Sequence, residues 1–278
     1  MKNLLKHDFY RIFHSKLALI SIILASAFAL VVPLVFFGLD ALVKLDMGVT
    51  SSADTNLFGP QLLFGLSYSL GSNIGIVIPI FGAIFIINDI RQGSTRNKII
   101  RGYKKIEIFS SQSIVTICYV LTLITVYAVL TFLFSCLFFG FPDFTNVSTL
   151  GFFGQVFLMG TIEFIFASSL VIFGAYVTKN VGITILISIA FAFIVSLLAS
   201  LLPSLPNADK YKILFDFIPT YGSSELSGLG QIASINPDAD IEITLPVIDA
   251  VINGAATFGF AAINCFLGYL VFSKKDVN

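Results

Sequence analysis

An all-α membrane protein that crosses the bilayer six times is the fold class this sequence predicts, and three observations carry it. Apolar stretches long enough to span a bilayer, about 20 residues as helix, recur six times along the 278 residues. Charged residues make up only 12% of the chain, where a soluble domain carries roughly a quarter. Mean hydropathy is +0.94. The chain has 30 Phe and no Trp, so Phe and Tyr must furnish any interfacial aromatic belt. One bundle over residues 1–278 uses the whole length, and no separate soluble domain is visible.

Ahead of the first span, Leu5, Phe9, Ile12 and Phe13 recur at near-helical spacing, with Lys2, Lys6 and Arg11 on the remaining surface. That pattern predicts an amphipathic helix lying in the membrane interface. The first span, Leu17–Leu39, is longer than the roughly 7–15 apolar residues of a signal peptide, so it reads as an uncleaved helix. The other five are Leu66–Ile87, Ser113–Phe139, Gly151–Val177, Val181–Leu202 and Val247–Phe272. Pro33 and Pro79 fall inside spans and predict kinks. Pro246 stands at the start of the last span, where proline is tolerated.

The connections are unequal. The turn around Lys179 and Asn180 is short, whereas Asp40–Gly65 and Pro203–Leu245 are long. Within the second of these, Ile213–Ile218 is too short to cross a membrane and too apolar for a free loop, which predicts a re-entrant or interfacial piece. Thirteen of the 16 Lys and Arg residues fall on one side of the six spans. Lysine and arginine mark the cytoplasmic side, so both termini are expected there, in keeping with an even number of crossings.

Few polar features remain to carry function. The segment Asn88–Gln112 is larger than a turn between two spans requires. Gly93 and Gly102 bracket it, with Ser94 as an expected N-cap and Gly102 as the stop after the helix. Between them, about two turns of helix keep Arg96 and Arg101 polar and offer Ile99, Ile100 and Tyr103 to a partner. A positively charged membrane anchor and a docking helix both fit this composition. Glu163 lies near the middle of the fourth span, where an ionisable group is costly and must face the bundle, a partner subunit or a wet cavity. It is a candidate for the substrate path or gating, or for a structural hydrogen bond. Asn73 and Asn253, with Gln155 and Asn264, are weaker candidates of the same kind. Gly71-xxx-Gly75 and Ala255-xxx-Gly259 are spacings that let helices approach closely.

Several chemistries lack their residues. No Gly-Lys dipeptide occurs, so there is no P-loop. Neither HExxH nor GxSxG is present. Asp238, Asp240 and Glu242 lack the glycine of a calcium loop, and no metal site is expected. Cys118, Cys136 and Cys265 all lie in apolar runs rather than flanking an external loop, against a disulfide framework. No catalytic residue, no cofactor and no nucleic-acid partner is expected of this chain.

The amphipathic N-terminal helix, the six spans with both ends cytoplasmic, the long outer segment before the last span and above all Arg91–Lys98 through Gly102–Lys105 resemble a type-2 ABC exporter permease. The resemblance covers nearly the whole chain. It implies that Gly93–Gly102 is a coupling helix and that a separate cytoplasmic ATPase subunit, holding ATP and Mg, docks on it and on the N-terminal helix. It implies a second permease chain, identical or related, in a bacterial cell membrane. The first, second and fifth spans would line the path, Asn73 included, and Ile213–Ile218 would match the family's re-entrant piece. Lipids, antibiotics, peptides and polysaccharides are cargoes of this class, and short permeases of this kind often serve antimicrobial-peptide export or self-protection. The Phe-rich, weakly charged spans suit an amphipathic cargo. The rival classes are a channel or carrier without an ATPase, and a membrane protein that gives immunity to a toxin.

Overall fold

Runs that are apolar on every side, with few breakers, form the long helices of the computed structural model. It describes residues 1–46, 58–70, 77–142, 147–201, 215–235 and 245–274. In chain order the helices are α1 (Lys2–Phe13), α2 (Lys16–Asp46), α3 (Pro60–Tyr68), α4 (Val77–Arg91), α5 (Ser94–Ile100) and α6 (Lys105–Phe139). Then follow α7 (Val147–Thr178), α8 (Val181–Leu201), α9 (Tyr221–Ile235) and α10 (Val247–Lys274). Among the described residues all regular structure is helical. Five helices, α2, α6, α7, α8 and α10, are long and apolar enough to cross a membrane.

Helix α6 lies at the centre, with α2 along one side and α7, α3 and α4 on others. Helix α10 packs along α7. Their approach is close at Gly254 and Gly268: a Cβ on Gly254 would meet Ile162 Cδ1 at 3.3 Å, and one on Gly268 would meet the Phe173 Cα at 3.5 Å. Of the two spacings expected to allow close packing, Ala255 is exposed and Gly259 faces open space. The seam therefore runs one position aside, through Asn253, Gly254 and Thr257. Gly71 and Gly75 lie outside the described residues.

Polarity is distributed inside out relative to a soluble protein. Ser21, Ser111, Ser168, Ser169 and Thr184 are buried, while Leu19, Ile23, Leu186, Phe193, Phe258 and Phe266 point outward. Some of the buried hydroxyls bond their own helix, Ser168 to the Phe164 carbonyl at 2.7 Å and Ser169 to that of Phe166 at 2.6 Å. Apolar side chains outside and hydroxyls turned inside suit a hydrocarbon solvent, in which a polar group facing lipid is costly.

Three expectations need correcting. The second span is not one helix over Leu66–Ile87. Helix α3 ends at Tyr68, Ser69 is extended (φ −80°, ψ 130°), and a second, separate helix runs from Val77 to Arg91. Pro79 lies in α4, whose described part begins at Val77, and Pro33 lies inside α2. Helix α6 starts two turns earlier than Ser113, because the Glu107 carboxylate turns back to accept the Lys104 N–H at 3.1 Å, half of a capping box. Part of the supposed loop Pro203–Leu245 is helix α9, packed on α3, α7, α8 and α10. Its Gly- and Ser-rich sequence has no strong periodicity, and the contacts decide its state. Within Ile213–Ile218, Ile213 and Leu214 lie outside the described residues. Phe215 and Ile218 pack with Ala199 and Tyr221.

The short connection around Lys179 is as expected. Asn180 caps α8, its side-chain oxygen accepting the Gly182 N–H at 3.0 Å.

Candidate functional site: a docking helix on a buried ionic foot

Helix α5 is only seven residues long, too short to be stable alone, so its ends and its underside must hold it. Gly93 (φ +70°) and Gly102 (φ +87°) take left-handed conformations at its two ends, which glycine adopts without steric cost. Gly93, not Ser94, occupies the N-cap position. At the other end the Gly102 N–H bonds the Ile99 carbonyl at 2.9 Å and the Tyr103 N–H bonds that of Lys98 at 3.3 Å, the paired bonds of a Schellman motif.

The helix divides the predicted docking residues between two faces. Arg96, Arg101 and Gly102 are exposed, and Ile100 is 73% exposed. Ile99 and Tyr103, expected to meet a partner, are half-buried and pack against the protein's own core. The reason is the buried ridge of α5, Thr95 and Lys98, which turns Ile99 toward the bundle and Ile100 away from it.

Lys98 is the centre of a cluster that sequence reasoning missed. Its ammonium donates to Asp8 Oδ1 at 2.8 Å and Oδ2 at 3.0 Å, and to Asp89 Oδ2 at 3.2 Å. Ser111 Oγ donates to Asp8 Oδ2 at 2.9 Å. Arg11 pairs with Asp89, reaches Ser94 Oγ at 3.1 Å and stacks over Phe85, 4.9 Å from its centroid. Gln112 donates to Asp89, and Tyr176 donates to Gln112. Helices α1, α4, α5, α6 and α7 thus meet in one polar knot. Burial pushes the Asp89 carboxyl up. The Arg11 hydrogen bond, the charges of Lys98 and Arg11 and the Gln112 amide more than offset this, leaving it below its ordinary value. Its stabilising contribution is therefore present above the ordinary aspartate range and fades only as pH falls through the depressed value.

The knot also explains α1. Its buried line is Leu4, Asp8 and Ile12, four residues apart and on one face. Leu5 and Phe9 are half-buried beside it, and Phe13 lies at its edge, 5.9 Å from the Tyr119 ring. Arg11 is not on the outer surface, as its charge suggested, but turned in toward Asp89. One sequence signal was available: Asp8 sits four residues from Leu4 and four from Ile12, in the middle of an apolar line.

Glu163 is buried and makes a second polar centre. Its Oε1 accepts the Leu70 N–H at 3.1 Å, the amide that follows the end of α3. Nearby, Asn253 donates to the carbonyls of Asp216 at 2.9 Å and Ile218 at 3.0 Å. It thereby secures the turn in which Thr220 takes a left-handed φ of +80°, a conformation that persists only when its surroundings hold it. Gln155 does similar work, accepting the Leu245 N–H at 2.8 Å and donating to the Leu245 carbonyl at 2.9 Å. Asn73 lies outside the described residues. These side chains tie down irregular backbone. Glu163→Gln keeps the acceptor for Leu70 and should melt with the parent in detergent. Glu163→Leu strands a buried N–H and should cost about 1–3 kcal/mol. Equal losses in both variants would show that the carboxylate charge, not the hydrogen bond, matters there.

Among the described residues no group of His, Cys, Asp and Glu is arranged to hold a metal. No curated protein matches the chain. Residues 45–278 match the family described as "Protein of unknown function (DUF2705)", which is most of the chain, and the protein belongs to that family.

Proposed function

We propose that this protein is the membrane permease subunit of an ABC exporter in a bacterial cell membrane, driven by a separate ATPase that holds ATP and Mg. The observation that carries this reading is α5: a short helix between two left-handed glycines, presenting Arg96, Ile100 and Arg101 outward and rooted by Lys98 in the bundle. Such a helix is suited to receive force from a docked protein, because a loop serving only as a charged anchor needs no buried foot.

In this reading both termini are cytoplasmic, and α3 with α4 makes the sixth crossing beside the five long helices. The apolar run Val77–Ile87 and its packing on α6, α7 and α8 favour that role. Helix α1 completes the docking face with exposed Lys2, Lys6 and Tyr10. A second permease chain pairs with this one, and the cargo is amphipathic, in keeping with spans rich in phenylalanine and poor in charge. A carrier without an ATPase gains little from Glu163 and Asn253, since both hold backbone groups.

Co-purification in mild detergent, with the neighbouring genes expressed, tests the proposal. The expected result is an ATPase recovered in near-equal amount from the parent and lost from Ile100→Asp/Arg101→Glu, whose changed residues face outward. Ile99 and Tyr103 are unsuitable probes, because their substitution disturbs the core. Recovery of the protein alone, folded and without an ATPase, would overturn the reading in favour of a channel, carrier or immunity protein.

A further inference from the structure

Four charged side chains, drawn from segments up to 90 positions apart, meet in the knot under α5. Two acids, Asp8 and Asp89, face two bases, Arg11 and Lys98, so formal charge cancels. All four carboxylate oxygens accept a hydrogen bond: those of Asp8 from Lys98 and Ser111, those of Asp89 from Arg11, Lys98 and Gln112. Lys98 alone joins α5 to both acids. The ammonium would be cheaper to place in water, as Arg96 and Arg101 show by staying exposed on the same helix. Burial at this one position therefore needs a reason beyond net charge. The consequence is mechanical. Asp8 stands on α1, Asp89 on α4, Ser111 and Gln112 on α6, and Gln112 carries the link to Tyr176 on α7. Packed polar networks of this kind have one good arrangement and do not deform gradually.

We propose that Lys98 is a positioning residue that locks α5, α1 and the adjoining ends of α4 and α6 into one rigid block. A displacement of the exposed face at Arg96 and Ile100 is then passed to three helices at once. The source of that displacement rests on the permease reading, whereas the rigid block is a property of this chain alone and is tested without a partner.

The test is a distance distribution by pulsed electron resonance between spin labels at Asn97→Cys and Ile183→Cys. Both positions are exposed, and Cys118, Cys136 and Cys265 are replaced by alanine. The block is weakened with Lys98→Met/Asp8→Asn, a neutral pair that leaves Arg11 on Asp89 and keeps an acceptor for Ser111. The expected result is one narrow distance in the parent and a distribution at least about twofold broader in the variant, at matched melting and elution. Equal widths overturn the proposal. If the variant fails to fold, amide exchange in the unmodified full chain decides. The amides of Arg101, Gly102 and Tyr103 should exchange as slowly as those of the first turns of α6. Exchange within about tenfold of an unprotected peptide overturns the rigid block. Failure of the permease reading appears separately, as a missing ATPase, and changes neither measurement.

Discussion

Replacing Lys98 by methionine is expected to cost about 3–5 kcal/mol, the range for removing one partner of a buried ion pair. Methionine fills similar space, so packing is a small part of the loss. The larger part is electrostatic. Asp8 is fully buried and Asp89 nearly so. Without the ammonium, Asp8 keeps Ser111, a 3.3 Å contact with His7 Nδ1 and a 3.9 Å approach of Arg11. Two carboxylates would then share one guanidinium. Removing Asp8 as well, with asparagine, should recover much of the loss, because replacing a whole buried pair by neutral groups is often close to neutral. Thermal melting in detergent, followed by recovery of monodisperse protein, measures both. A single variant that melts with the parent would show that the knot contributes little to the fold.

The second large effect is expected at Gly160, where α7 crosses the end of α3. A Cβ there would lie 2.5 Å from both Cβ and Cδ1 of Tyr68. Those atoms are near the Tyr68 backbone, and the ring is buried, so the side chain cannot swing aside and the helices must part. Gly160→Ala should destabilise by about 1–3 kcal/mol, as overpacking does. Gly154 lies on the same helix with nothing within 4 Å of its would-be Cβ. Gly154→Ala should leave stability unchanged or raise it by up to about 1 kcal/mol through helix propensity. The same substitution on one helix thus has opposite signs, and melting of the two variants side by side checks it. Matched melting points would mean that α3 and α7 are not in this contact.

The long helices were legible in the sequence because in lipid the backbone must satisfy itself, and a continuous apolar run has no other way to do so. The starts of α8 and α10, at Val181 and Val247, and the end of α6, at Phe139, coincide with the limits of hydrophobicity. Gly93 and Gly102 were legible for a local reason, since a left-handed residue beside a short helix favours glycine. The break after Tyr68 was not. Ser67, Ser69, Gly71, Ser72, Asn73 and Gly75 interrupt the first half of Leu66–Ile87 without fixing where a helix ends, and beyond α3 the Leu70 N–H is met by a distant carboxylate, Glu163. Helix α9 escaped for the complementary reason: its sequence is permissive, and packing on α3, α7, α8 and α10 makes it helical.

An all-helical chain built for an apolar solvent, the five long helices and the site of α5 with its glycine ends can be read from the residues in order. These follow from properties of neighbouring residues, namely hydrophobicity, backbone preference and capping. Which of Ile99, Ile100 and Tyr103 faces outward depends on how the helices pack. Packing also buries Lys98 and turns Arg11 partly inward, with Asp8 and Asp89 as their partners. A charge reads as exposed until a counter-charge is found for it. Here that counter-charge comes from helices remote in sequence, so no local pattern announces it.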